Sequence, residues 1–144
     1  MRKFASTVKI DAPPEKVWAL LADQEGWPRW FKGMQKVTVE GTPGVGTGRK
    51  MHLGGPVVLD EVITHWEPNR LFGYKVRNNP LVKGHQGLIA ITPAYGGGVV
   101  VTYTTELELA VPIPGDPLGL VVGSLMRLAI NQALGQLKKL AERG

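Results

Sequence analysis

Apolar and polar positions change period several times along the chain, and each change marks an element. Thr7-Val8-Lys9-Ile10 alternates as a strand does, and Asp11-Ala12-Pro13-Pro14 ends it. Pro14 suits the first turn of a helix, where its missing N–H costs nothing, and Glu15 suits the positive end of the helix dipole. Val17, Trp18, Leu20 and Leu21 then make a short apolar face, which predicts a helix over 14–22. Between Asp23 and Met34, the aromatic residues Trp27, Trp30 and Phe31 are interrupted by Gly26, Pro28 and Gly33, which predicts one short, broken helix.

From residue 36 the period drops to two. Val37 and Val39 alternate with polar residues, a glycine-rich turn follows over 41–48, and strands are predicted at 49–53, 57–66, 71–77, 86–92 and 99–109. Gly54-Gly55-Pro56, Glu67-Pro68-Asn69-Arg70 and Tyr95-Gly96-Gly97-Gly98 read as tight connections, and strands joined so briefly pair antiparallel. In the last strand Val99, Val101, Tyr103, Thr105, Leu107 and Leu109 share one face, while Thr102, Thr104, Glu106 and Glu108 form a wet one. Pro112, Pro114, Gly115 and Pro117 close the sheet region. Beyond them Leu118, Val122, Leu125, Ala129, Ala133, Leu137 and Leu140 recur every three or four residues, widened by Met126, Ile130, Leu134 and Ala141. That is a long amphipathic helix over 118–143. The expected fold is α+β: a curved antiparallel sheet of about seven strands wrapped on a long C-terminal helix, with two short helices after the first strand. Only the terminal helix, rising ~1.5 Å per residue, is long enough to cover the concave face.

Composition narrows the class. With 144 residues the chain predicts one domain over 1–144, and 43% hydrophobic with 20% charged residues argues against disorder. The absence of cysteine excludes a disulfide scaffold, a thiol nucleophile and thiolate-bound metal. No run approaches the ~20 apolar residues of a membrane span. Met1-Arg2-Lys3-Phe4 leads directly into an alternating pattern, so no signal peptide and a cytoplasmic address are expected. The net charge of +5 invites a nucleic-acid partner, but basic residues never exceed pairs such as Arg2-Lys3, Arg49-Lys50 and Lys138-Lys139. A phosphate-binding surface needs a stripe, so nucleic acid is not expected; weak attraction to anionic membranes or ligands remains compatible with this charge.

The candidate chemistry is sparse. The histidines His52, His65 and His85 fall in or beside three different strands without metal-ligand spacing, so neither metal nor other cofactor is expected. Gly44-Val45-Gly46-Thr47-Gly48 lies between strands and lacks the dinucleotide-binding pattern, and Ser124 has no nucleophile-elbow setting. Of Asp60 and Glu61 only one can face the sheet interior. The expected phase puts Val62, Thr64 and Trp66 inside and leaves Glu61 and His65 in solvent. In the opposite phase Glu61, Ile63 and His65 would line the concavity, and a buried carboxylate with raised pKa would suit proton transfer to an enol or aldol intermediate. Tyr74 and Tyr103 lie in apolar strand phases, where each hydroxyl is a polar handle or a core group. The catalytic candidates are therefore Glu61, His65 and Tyr103. The connection at 78–84 carries Leu81 and Val82, which suits closure of a cavity mouth, transient contact with a membrane or partner, or plain packing.

The element order and several motifs together resemble the START-like (SRPBCC, birch-pollen-allergen) superfamily. Within it the chain is most similar to the polyketide cyclase/dehydrase family, near the coenzyme-Q-binding branch. The resemblance rests on Ile10-Asp11-Ala12-Pro13-Pro14-Glu15-Lys16-Val17-Trp18, on Asp23 followed by Trp27-Pro28-Arg29-Trp30, on Trp66-Glu67-Pro68-Asn69-Arg70-Leu71, on Gly98-Val99-Val100-Val101-Thr102-Tyr103 and on the terminal helix. It implies a helix-grip fold with a hydrophobic cavity between sheet and helix. It also implies a small hydrophobic ligand such as a lipid, isoprenoid quinone or polyketide, carried or sensed. Trp27, Trp30 and Phe31 would then flank the cavity entrance, as ligand contacts or as core packing of the helical corner, with Tyr74, Tyr103, Met126 and Ile130 on its walls. A cyclase or dehydratase using cavity acid–base groups, and a protein-interaction module, are the alternatives. The sequence leaves the oligomeric state open.

Overall fold

The computed structural model describes residues 2–110 and 117–143, and the side chains of all of these but 117–120. The residues expected to close the sheet region, Pro112, Pro114 and Gly115, and the side chains of Pro117 and Leu118, lie outside the described residues. Seven strands, β1 (Arg2–Ile10), β2 (Lys36–Glu40), β3 (Gly48–Gly54), β4 (Val57–Glu67), β5 (Leu71–Arg77), β6 (Val82–Pro93) and β7 (Val99–Leu109), form one antiparallel sheet. Its order is β1-β7-β6-β5-β4-β3-β2, so β2 to β7 run as a meander and β1 joins the far edge beside β7. The helices α1 (Pro14–Ala22) and α2 (Pro117–Glu142) complete the α+β helix-grip arrangement, with a 3-10 helix over Gln24–Arg29 in place of the longer broken helix expected at 23–34.

Local chemistry accounts for the entry into the helices. Pro13 is extended, Pro14 takes the first helical position, and the Val17 amide closes the turn on the Pro13 carbonyl. Val17, Trp18 and Leu21 then face the core, and Pro28 keeps the following segment from continuing as α-helix. Further along, the chain departs from simple alternation. β1 starts at Arg2 and β6 at Val82, both earlier than the sequence pattern suggests, so residues 82–84 of the expected loop at 78–84 are strand, paired with β7.

The long helix has two jobs along its length. Ala133, Leu134, Leu137 and Ala141 are buried against α1 and the sheet, whereas Val122, Met126, Ala129 and Ile130 roof a cavity. The C-terminal half is pinned by polar contacts: Lys138 Nζ donates to the Lys9 carbonyl at 2.9 Å, and the Asp11 amide donates to Glu142 Oε2 at 2.8 Å. Leu125, expected on the apolar stripe, is turned to solvent with Val121 and Leu128. Among the described residues no helix is long and apolar enough to cross a membrane.

The β6–β7 turn ends against β1. Gly98 has φ +72°, and a Cβ there would stand 2.5 Å from the Ile10 carbonyl oxygen. Gly98→Ala is expected to cost about 1–3 kcal/mol, because neither the backbone conformation nor the facing carbonyl can adapt cheaply. Gly96→Ala, at φ +86° with open space around it, should cost less. Urea denaturation of the two variants beside the parent chain checks the order.

Candidate functional site

A cavity of about 380 Å³ lies between the sheet and the N-terminal half of α2. Its walls are largely apolar, with Phe31, Met51, Leu59, Leu107, Met126 and Ile130 among them. Four polar side chains reach its interior, Glu61, Tyr74, His85 and Tyr103, and the exposed Lys32 stands at its rim.

The placement of Glu61 follows from strand geometry. A bulge in β4 between Ile63 and His65 changes the side-chain phase, since one extra residue reverses the alternation. Before the bulge Glu61 and Ile63 face inward; after it Trp66 does, packing edge-on against Trp18 at 5.2 Å. Neither single-phase reading of this strand survives. Glu61, expected in solvent, is buried, and His65 is exposed on the outer face, where Nδ1 lies 2.9 Å from the Thr64 hydroxyl. His65 is therefore no cavity residue.

Glu61 pairs across the sheet with Arg49 on β3, and both side chains are buried, at 1% and 0% exposure. Arg49 Nε donates to Glu61 Oε1 at 2.8 Å, and Nη2 lies 2.8 Å from the same oxygen. The guanidinium is boxed by aromatic faces, with its carbon 4.1 Å from the Trp27 ring centre, 4.7 Å from Tyr74 and 5.4 Å from Phe72. Cation–π attraction in a desolvated site compensates part of the lost hydration. Arg49 Nη1 has no hydrogen-bond partner among the described residues. Burial pushes the Glu61 carboxyl above its usual range, and the Arg49 charge and hydrogen bond offset only part of that rise. Glu61 nevertheless stays ionised at neutral pH, because arginine cannot release its proton and a neutral Glu61 would strand a buried cation.

Tyr74 and Tyr103 hydrogen-bond through their hydroxyls. Tyr74 sits over its cross-strand partner Gly87, where a Cβ would come within 2.5 Å of Tyr74 Cζ, so only glycine leaves room for the ring. Burial, reinforced by the nearby Glu61 carboxylate, raises both phenols and keeps them protonated. One hydroxyl donates to the other, which leaves the accepting hydroxyl's proton free for a third group.

His85 stands where the sheet parts. Pairing of β5 with β6 ends at Lys75 and Gln86, and a second cleft, lined by Arg77, Lys83, His85 and Glu106, opens there. His85 Nε2 is buried without a hydrogen-bond partner among the described residues, and burial pushes the imidazole down to about 4. It is neutral at pH 7, with Nε2 able to accept or, in the other tautomer, to donate.

The structure places Phe31, Tyr74, Tyr103, Met126 and Ile130 on the cavity wall. Trp27 and Trp30, expected at the entrance, are core residues that do not line it: the Trp27 indole N–H donates to the Leu21 carbonyl at 2.9 Å, and its ring covers Arg49. Sequence reasoning missed Arg49 and did not single out His85 from the other histidines. The available signal for Arg49 was its strand phase, shared with Met51 and Leu53. His52 is half-buried outside the cavity.

Two outcomes follow. Arg49→Met or Glu61→Gln alone should cost about 3–5 kcal/mol by leaving a buried group unpaired, while the double variant should cost less than the sum, as a double-mutant cycle in urea would show. For His85 the folded value lies below the ordinary 6.5, so its neutral form stabilises the fold above about pH 6.5 and that stability is lost as pH falls towards 4. Between pH 7.5 and 4.5 the parent should lose about 2–3 kcal/mol more than His85→Gln, measured by denaturation midpoints at both pH values.

Comparison with known proteins agrees with this architecture. Residues 1–142 match the family described as "Polyketide cyclase / dehydrase and lipid transport". Uncharacterized proteins Rv2574 of Mycobacterium tuberculosis and Mb2604 of Mycobacterium bovis are each 32% identical over 141 residues, covering 94% of this chain and 82% of theirs. Among solved structures, the Zhui aromatase/cyclase from a Streptomyces species superposes with a TM-score of 0.82 at 18% identity, covering 99% of this chain and 94% of that one. TTHA0849 from Thermus thermophilus gives 0.79 at 23% identity, covering 97% of each chain. The di-domain aromatase/cyclase StfQ of the steffimycin biosynthetic pathway gives 0.81 at 18%; 97% of this chain aligns with half (50%) of StfQ. Likeness at these identities shows the fold, while the family match spans nearly the whole sequence. The chain belongs to the polyketide cyclase/dehydrase and lipid transport family.

Proposed function

We propose that the chain binds one small hydrophobic molecule, of lipid, isoprenoid-quinone or polyketide-like chemistry, between the sheet and α2, as a carrier or sensor. The observation that carries this reading is an apolar cavity whose polar atoms are few and grouped. About 380 Å³ lies at the lower end of the ~300–1,000 Å³ typical of ligand pockets. Apolar walls drive binding by removing the ligand's surface from water, and Glu61, Tyr74, Tyr103 and His85 fix its orientation. Met51 and Met126 give the walls side chains that adapt to shape.

The same grouping favours a second reading, catalysis of a cyclase or dehydratase type. An ionised carboxylate, a neutral imidazole and protonated phenols facing one cavity are the parts needed to remove a proton beside a carbonyl and return one to a leaving hydroxyl. Glu61 and His85 would serve as bases and the tyrosine pair as acid. Membership of the family supports both readings.

Native mass spectrometry of freshly purified protein, followed by solvent extraction, tests the first reading. The expected result is a stoichiometric apolar molecule in the parent chain and its loss in Ala129→Trp, which fills the cavity from the α2 side. A clean unliganded mass that does not change after incubation with a library of hydrophobic compounds would count against both readings. Turnover of the extracted molecule, lost in Glu61→Gln and in His85→Gln, would promote the second over the first.

A further inference from the structure

We propose that this cavity selects neutral ligands bearing a hydroxyl donor, phenols or enols, over apolar carboxylic acids, and that the buried Arg49–Glu61 pair sets the selection. The inference rests on the ligand-binding reading above and names the chemistry of the ligand's polar end.

The argument is one of orientation. Glu61 lines the cavity and Arg49 does not. The ion pair is therefore a dipole whose negative end faces the ligand, with its positive end 4.1 Å from the centre of the Trp27 ring. A group inside the cavity meets the carboxylate first, and in a low-dielectric site the nearer charge dominates. A carboxylate only accepts hydrogen bonds, so a ligand hydroxyl satisfies it and a ligand carboxylate repels it. The Tyr74–Tyr103 pair complements this arrangement, because its free proton suits a carbonyl or hydroxyl oxygen on the same ligand. His85 adds a neutral imidazole and no cation. Lys32, the one cationic side chain on the cavity wall among the described residues, is exposed and keeps its hydration. An acid that bound would have its head at that rim and its apolar body inside, or would carry the cost of a second buried negative charge. Sites built to hydrogen-bond a ligand hydroxyl discriminate strongly, since the wrong ligand leaves buried groups unpaired.

Calorimetric titration with 2-naphthol, 2-naphthoate and naphthalene at pH 7.5 tests the selection with probes of one shape. The parent chain is expected to bind 2-naphthol at least about tenfold more tightly than 2-naphthoate, a ratio that reads one hydrogen bond against one repulsion. In Glu61→Gln the ratio should fall towards unity, chiefly through gained affinity for the acid. If that variant fails to fold, the Arg49→Met/Glu61→Gln double variant removes both charges and gives the same comparison. Equal or tighter binding of 2-naphthoate by the parent overturns the proposal, and so does a preference that neither variant changes. Naphthalene binding without a gain from the hydroxyl overturns the selection while leaving the ligand-binding reading in place. Failure of all three probes to bind overturns both.

Discussion

The ion pair between Arg49 and Glu61 is the constraint around which the cavity is arranged. Two charges without water are tolerable only when each is held by the other and by polarisable surroundings. That requirement fixes more than two side chains. Trp27, Phe72 and Tyr74 must gather their ring faces round the guanidinium, and Gly87 must stay small for Tyr74 to lie where it does. The short helical segment after α1 thereby acquires a purpose beyond filling the corner. It carries Trp27 to the cation and, four residues on, Phe31 to the cavity.

A buried pair is seldom the most stable filling of a core, and an apolar pair of similar volume often does as well. Its retention here is intelligible from where it lies, under the cavity floor and joined through Tyr74 to the hydroxyl pair. The aromatic box makes the pair rigid, and rigidity is what lets a polar floor distinguish ligands rather than adapt to them. The opposite wall has the opposite character. Met126, Val122 and Ala129 on α2 present flexible or small apolar groups that can follow a ligand's outline. The cavity thus joins a fixed polar floor to a compliant apolar roof.

Much of this was legible in the sequence, and the parts that were not share a cause. The bounds of α1, β5 and β7 follow directly from local pattern, as do the meander and the covering helix, because each rests on short-range periodicity and turn chemistry. The site rests on register. Arg49 faces Glu61 only because the β3–β4 hairpin is offset by an irregularity between His52 and Gly54. Glu61 faces inward while His65 faces out only because β4 bulges between Ile63 and His65. A bulge leaves no reliable mark in one sequence, yet it reverses every inward and outward assignment beyond it. The tryptophans have a different origin: the pattern left Trp27 and Trp30 open between cavity wall and core, and the buried cation beside Trp27 shows why that ring is core.

Fold likeness at 18–23% identity places the helix over the sheet and says little about what lies between them. What separates one such cavity from another is the short set of polar atoms at its floor and their sign. In this chain those atoms are a carboxylate backed by a guanidinium, two phenols that share one hydrogen bond, and a neutral imidazole. The direction of the Arg49–Glu61 pair makes this an acceptor floor, with the carboxylate on the cavity and the guanidinium behind it among the rings. Under the proposed ligand-binding reading, the polar group that a bound molecule must offer turns on the direction of that buried dipole, a property that strand register sets and that composition and fold class do not encode.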